Sequence, residues 1–207
     1  MALAGLGVMA ALVALAGNAQ PVEPVDAAVR QETPSEIVRA VDFSTVAQPG
    51  DSCTDALSEA DAAPRRIPVE RGASRLLDEA SLVRLEVDDE VLYGDLDGDG
   101  DDEAVVQAVC NYGANGAEHT VQVWTVDVRV PVLVAALSGA PDEVAAGSGL
   151  PPSVHDVEID GSELVVTFTH YADGDPHCCP SQQTAVTYEL DDGLEPIGRP
   201  VTSAFQP

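Results

Sequence analysis

Between two β-type apolar runs, Tyr93 to Val106 reads Y-G-D-L-D-G-D-G-D-D-E-A-V-V, with acids at every second residue from Asp95 to Asp101 and Asp102 and Glu103 following at once. Six acids within nine residues repel and raise one another's pKa unless a cation neutralises them. Hard cations take about six to eight oxygen ligands, and alternating carboxylates with glycines that let the chain wrap supply them from one short segment. Calcium ligand positions 1, 3, 5 and 9 fall on Asp95, Asp97, Asp99 and Glu103, with the Asp101 carbonyl at position 7. The helix-loop-helix version needs a bidentate Glu at position 12, and that residue is Val106. The flanking runs, Val91 to Tyr93 and Ala104 to Cys110, instead make the loop the tip of a β-hairpin. The competing reading is a merely solvated acidic turn.

The rest of the chain supports a mainly β fold, either a single antiparallel sheet or meander or a small sandwich, of about seven strands with one or two short N-terminal helices. Thr33-Pro34-Ser35-Glu36 is a capping box with Pro at the first helical position, predicting a helix through about Val41. A second short helix over Thr54 to Asp61 would be broken by Ala63-Pro64. Val83, Leu85 and Val87 alternate with Arg84, Glu86 and Asp88, the pattern of a half-buried strand. After the loop, Val106, Ala108 and Cys110 share one face and Val105 and Val109 the other, so that strand is expected to be covered on both sides. Thr120 to Val134 reads as the longest β segment; its apolar register moves near Trp124, predicting a bulge or bend there, and Pro131 favours an edge or a strand end. Residues 138–153 read as a crossing loop, Asp160-Gly161 as a two-residue hairpin turn between Asp156–Ile159 and Leu164–His170, and Thr184 to Leu190 with the Asp192-Gly193 turn as the end of the meander.

Residues 1–17 are almost wholly apolar and end at a Gly17-Asn18-Ala19 small-x-small site, so residues 1–19 read as a signal peptide or N-terminal anchor. Residues 20–32, with two prolines and several charges, read as a flexible linker, and 33–207 as a single β-rich domain. The expected compartment is therefore secreted or cell-envelope. The net charge is −27, and all nine basic residues are arginines. Nucleic acid and anionic membrane surfaces both need a basic footprint, so neither is an expected partner. The acid excess fits salt adaptation or plain solubility equally well.

Cys53, Cys110, Cys178 and Cys179 in an exported chain are most simply two disulfides. Either Cys178 and Cys179 reach separate partners in Cys53 and Cys110, or Cys53–Cys110 and a vicinal Cys178–Cys179 bridge form; spacing leaves both open. His170, His177, Cys178 and Cys179 offer zinc chemistry, but they lack paired zinc-ligand spacing, and oxidising export favours disulfides over zinc. His170 ends a strand and reads as a cap on the core edge.

The acidic loop resembles the calcium loops of FG-GAP and VCBS-type repeats. Residues 82–207, with that loop, a strand ending in Cys110, and D-P-H-C-C-P-S before T-A-V-T-Y-E-L-D-D-G, resemble uncharacterised exported proteins of GC-rich Gram-positive bacteria. That resemblance implies an export signal or lipobox, one calcium hairpin and no assigned activity. No Cys follows the apolar run here, so covalent lipid anchoring is not expected. No G-x-S-x-G elbow, H-E-x-x-H, phosphate loop or dinucleotide fingerprint is present. The leading expectation is a non-catalytic, calcium-stabilised exported β domain that binds an extracellular protein or cell-wall component. The alternatives are a secreted hydrolase with structural calcium, or an inhibitor or adaptor of an extracellular enzyme. A concave pocket with carboxylates outside Asp95 to Glu103 favours the enzyme; a flat apolar patch favours binding.

Overall fold

The computed structural model describes residues 31–53, 66–75, 77, 82–113, 116–145, 151–176, 178–191 and 193–205. The expected leader, the linker up to residue 30 and the helix over Thr54–Asp61 lie outside the described residues. Among the described residues the chain is mainly β, in three antiparallel sheets.

Two consecutive meanders supply the frame. The first is β5 (Arg84–Gly94), β6 (Glu103–Asn111), β7 (Ala117–Asp127) and β8 (Val130–Ser138). The second is β9 (Ser153–Asp160), β10 (Glu163–His170), β11 (Gln182–Leu190) and β12 (Leu194–Ala204). Short strands β3 (Val69–Glu70) and β4 (Ala73–Ser74) extend the first meander into a six-stranded sheet, and β1 (Gln48–Pro49) pairs with β2 (Arg66–Ile67) in a two-stranded one. The expectation of about seven strands is therefore low: twelve strands are present among the described residues, eight of them long. The single sheet gives way to three antiparallel sheets of two, four and six strands.

The central strands of the six-stranded sheet, β6 and the middle of β7, are buried on both faces, as expected of β6. On one face Val83, Leu85, Val87, Val106, Ala108, Cys110 and Trp124 pack with Val38, Phe43 and Ile67 of the N-terminal segment. On the other, Leu96, Val105, Val121, Val123 and Ala135 meet Val157, Leu164, Val166, Phe168, Val186 and Tyr188 of the four-stranded sheet. Burying both faces removes large side chains from water on either side of one strand, which explains β6's near-continuous apolar run. The Cys53–Cys110 disulfide ties a 3₁₀ turn at Gly50–Cys53 to β6. Beside it, buried Gln122 donates to Ser52 Oγ at 3.1 Å and accepts from Trp124 Nε1 at 3.0 Å.

Helix α1 (Pro34–Arg39) forms where its capping box predicts, with Thr33 Oγ1 accepting from the Glu36 N–H at 3.2 Å and the Glu36 carboxylate accepting from the Thr33 N–H at 3.0 Å. A one-turn helix, α2 (Asp142–Ala145), sits unannounced in the crossing loop and buries Val144.

Three strand expectations need correction. Thr120 to Val134 is two strands, reversing at Val128 and Arg129, whose φ values are +46° and +69°. A two-residue turn with both residues at positive φ suits a hairpin's twist but ordinarily recruits Asn and Gly. The register does shift between Val123 and Trp124, but the extra residue is Val134 on β8. The apolar change of register in β7 itself reflects two buried faces, Val121 and Val123 on one and Trp124 and Val126 on the other. The β9–β10 turn falls on Gly161 and Ser162, one residue later than expected, because Asp160 still pairs with Glu163. Pro131 does lie on an edge strand, β8, and Pro196 and Pro200 are tolerated because β12 is also an edge.

Candidate metal site

The loop between β5 and β6 is anchored before it is charged. Leu96, only 2% exposed, turns into the core between the two main sheets. Gly94, the last residue of β5, lies so close to β9 that a Cβ there would stand 2.9 Å from Ile159 Cγ2. Gly98 and Gly100, at φ +77° and +95°, let the chain curl back on itself.

This curl converges three carboxylates. Oxygens of Asp95, Asp97 and Asp99 all lie within 4.8 Å of one another, the one such acidic or metal-ligating cluster among the described residues. Asp97 Oδ1 accepts from the Asp99 N–H at 3.0 Å, and Asp99 Oδ1 from the Asp101 N–H at 2.8 Å. Asp95 Oδ2 accepts from the Gly100 N–H at 3.2 Å, while its Oδ1 is buried with no hydrogen-bond partner. An orphaned buried carboxylate oxygen is costly unless something electropositive meets it. That atom, with its neighbours' hard oxygen donors, fits a calcium-type cation.

The remaining expected ligands are placed differently. The Asp101 side chain accepts from Ser35 Oγ at 3.2 Å. Glu103 is 2% exposed, and its Oε2 accepts from the Leu96 N–H at 2.9 Å. Burial, aided by the Asp97 and Asp99 charges, pushes the Glu103 carboxyl up to about 7 against the pull of backbone N–H groups from Leu96 and Asp97. Neither joins the three-aspartate cluster.

Sequence reasoning misses the residues that hold the loop's far rim. Ser35 and Arg39 share one face of α1 at i, i+4 spacing. Ser35 Oγ accepts from the Asp102 N–H at 2.8 Å, and Arg39 meets Asp102 Oδ2 at 2.9 Å with its guanidinium 4.8 Å over the Tyr93 ring.

The cysteines pair as Cys53–Cys110 and Cys178–Cys179, so neither of the latter offers a thiolate. His177 lies outside the described residues. His170 closes β10 with Nε2 2.8 Å from Thr184 Oγ1, and burial holds its pKa below the ordinary value.

Two surface features bear on catalysis against binding. An open groove of about 690 Å³ between β5 and β9 carries Glu90, Asp156, Glu158 and Asp160. Edge strand β8 and its turn expose Val128, Val130, Val132 and Val134, with Val128 89% exposed.

Residues 148–193 match the model of the LppP/LprE lipoprotein family. The match spans β9 to β11 and the Cys178-Cys179 loop and leaves the acidic loop outside it. It points to an exported, envelope-associated, lipoprotein-like protein. No curated protein and no solved structure matches the chain. No helix of the described residues is long and apolar enough to cross a membrane.

Proposed function

We propose that this chain is a non-catalytic exported β domain that binds one calcium ion in the β5–β6 hairpin, in the manner of an FG-GAP-like loop, and acts by binding a partner at the cell envelope. The observations that support the ion are the convergence of the Asp95, Asp97 and Asp99 carboxylates and, on one of them, the buried and partnerless Asp95 Oδ1. Glu103, whose carboxyl feels the Asp97 and Asp99 charges, becomes a further ligand in its ionised form. Asp101 contributes through its backbone carbonyl, since its side chain is engaged by Ser35.

The exposed valines of β8 and its turn support binding as the task, because several exposed large apolar side chains on one edge of an otherwise very acidic molecule suit contact with something else. The carboxylate groove favours a hydrolase by composition alone. Asp156, Glu158 and Asp160 are exposed on an open edge, whereas a general acid needs a sheltered site to keep its proton near neutrality.

Calorimetric titration of the chelator-treated chain with calcium tests the ion. The expected result is one ion per chain, lost in the Asp97→Asn/Asp99→Asn double variant, which still folds to the same β spectrum. No binding heat at millimolar calcium, with an unchanged melt, reduces the loop to a solvated acidic turn.

A further inference from the structure

We propose that the Cys178–Cys179 bridge is a thiol–disulfide exchange site, taking two electrons from an external dithiol while Cys53–Cys110 stays closed. The two bridges differ in both access and purpose. Cys53 and Cys110 are each 0% exposed and join segments 57 residues apart, so their bond constrains the unfolded chain. Cys178 and Cys179 are both exposed, and at a separation of 1 their bond closes only the ring of a single peptide unit. Such a bridge removes almost no chain entropy.

The described part of its loop has other ties. Residues 171–181 connect β10 to β11 and are closed by Asp175, whose Oδ2 accepts from the Ala172 N–H at 2.7 Å, the Ser181 N–H at 3.0 Å and Ser181 Oγ at 2.8 Å. The Cys179 N–H donates to the Pro176 carbonyl at 2.9 Å. None of these bonds uses sulfur. Opening the bridge breaks none of these hydrogen bonds and yields two neighbouring exposed thiols, so the role left for the bond is chemical.

The exchange balances with one dithiol. A thiolate of the reductant attacks one of the two sulfurs, a mixed disulfide forms, and the other cysteine leaves as thiolate with the Sγ–Sγ electron pair. The reductant's second thiol attacks the mixed disulfide, expelling the remaining cysteine thiolate and closing the reductant's own disulfide. The chain gains two electrons and two protons, and the dithiol loses them.

The test is a time course of the full chain in dithiothreitol at pH 8, quenched with acid, alkylated and read by peptide mass spectrometry. Reaching a buried bridge requires opening that costs several kcal/mol, so Cys178 and Cys179 should be labelled at least about a hundred-fold faster than Cys53 and Cys110. After mild reduction the chain should retain one phenylarsine oxide, a reagent that spans adjacent thiols. The Cys178→Ser/Cys179→Ser variant should retain none, with an unchanged melting temperature. Simultaneous opening of both bridges, resistance of Cys178–Cys179 until the fold melts, or free Cys178 and Cys179 in the unreduced protein would each overturn the proposal.

Discussion

Replacing Glu103 with Gln separates what the buried carboxyl costs from what it does. In the metal-free chain Glu103 is 2% exposed, and burial pushes its carboxyl up to about 7 from an ordinary 4.5. The unfolded chain loses that proton near the ordinary value. Between pH 4.5 and about 7 the folded state thus holds more protons than the unfolded one, and stability falls as pH rises through that window. At about 1.4 kcal/mol per pH unit, the loss is complete above pH 7 and amounts to at most about 3 kcal/mol. That is an upper bound, because the surrounding loop is open to water and screens the charge. Gln retains the acceptor for the Leu96 N–H and removes the charge. In chelator at pH 8, Glu103→Gln should melt higher than the unsubstituted chain by up to about 6–12 °C, at about 2–4 °C per kcal/mol for a domain of this size. The two melting curves should converge toward pH 4. In millimolar calcium the gap should close or reverse if, as proposed, the ion binds the carboxylate and stabilises only the folded hairpin. Equal melting in chelator at pH 8 refutes the buried-charge argument. An equal gain from calcium in both chains removes Glu103 from the ligand set.

Four further substitutions probe the core, one disulfide and one turn. Leu96→Ala empties a core site inside the loop and should cost about 2–4 kcal/mol in denaturant titration, with weaker calcium binding in the same sample. Tyr188 is 1% exposed, its hydroxyl has no partner and burial pushes its pKa up to about 12; Tyr188→Phe should leave stability unchanged or raise it by about 1 kcal/mol in the same titration. Cys53→Ala/Cys110→Ala opens a 57-residue separation and should cost about 4 kcal/mol by urea unfolding, provided Cys178 and Cys179 remain paired in both samples. Val128→Gly relieves a β-branched residue at φ +46° and should raise the midpoint by the equivalent of about 1 kcal/mol, whereas a loss would mean that Val128 makes contacts its 89% exposure hides.

The parts of the fold legible in the sequence are those where local chemistry and tertiary environment agree. Thr33 and Glu36 form their reciprocal cap because both partners lie within one turn. Val83, Leu85 and Val87 alternate because one face of their strand is wet. Legibility fails where tertiary packing overrides the local signal. Nothing in Asp127-Val128-Arg129-Val130 announces a turn, yet pairing from Asp127–Val130 through Thr120–Ser138 outweighs the backbone cost of two residues at positive φ. Gln122 hides the two-sided burial of β7, since a buried amide satisfied by Ser52 and Trp124 looks, in sequence, like a solvent-facing residue. Pro196 and Pro200 likewise argue against β12 unless its place on an edge is known.

At the acidic loop, spacing identifies which residues are rich in oxygen but not which way each one faces. Asp95, Asp97 and Asp99 converge because the glycines between and after them permit the curl. Asp101 and Asp102 are turned toward α1 by contacts 66 and 67 residues away in sequence, which no local pattern encodes. The N-terminal segment, the least informative part of the chain when read alone, thereby fixes the loop's outer rim. With Ser35 and Arg39 in place, the negative charge of Asp102 is met by a guanidinium, and the repulsion left for a cation to quench is concentrated on Asp95, Asp97, Asp99 and the buried Glu103. If the loop binds calcium as proposed, a change at Ser35 or Arg39 should therefore weaken the calcium heat in calorimetric titration, although neither residue belongs to the three-aspartate cluster.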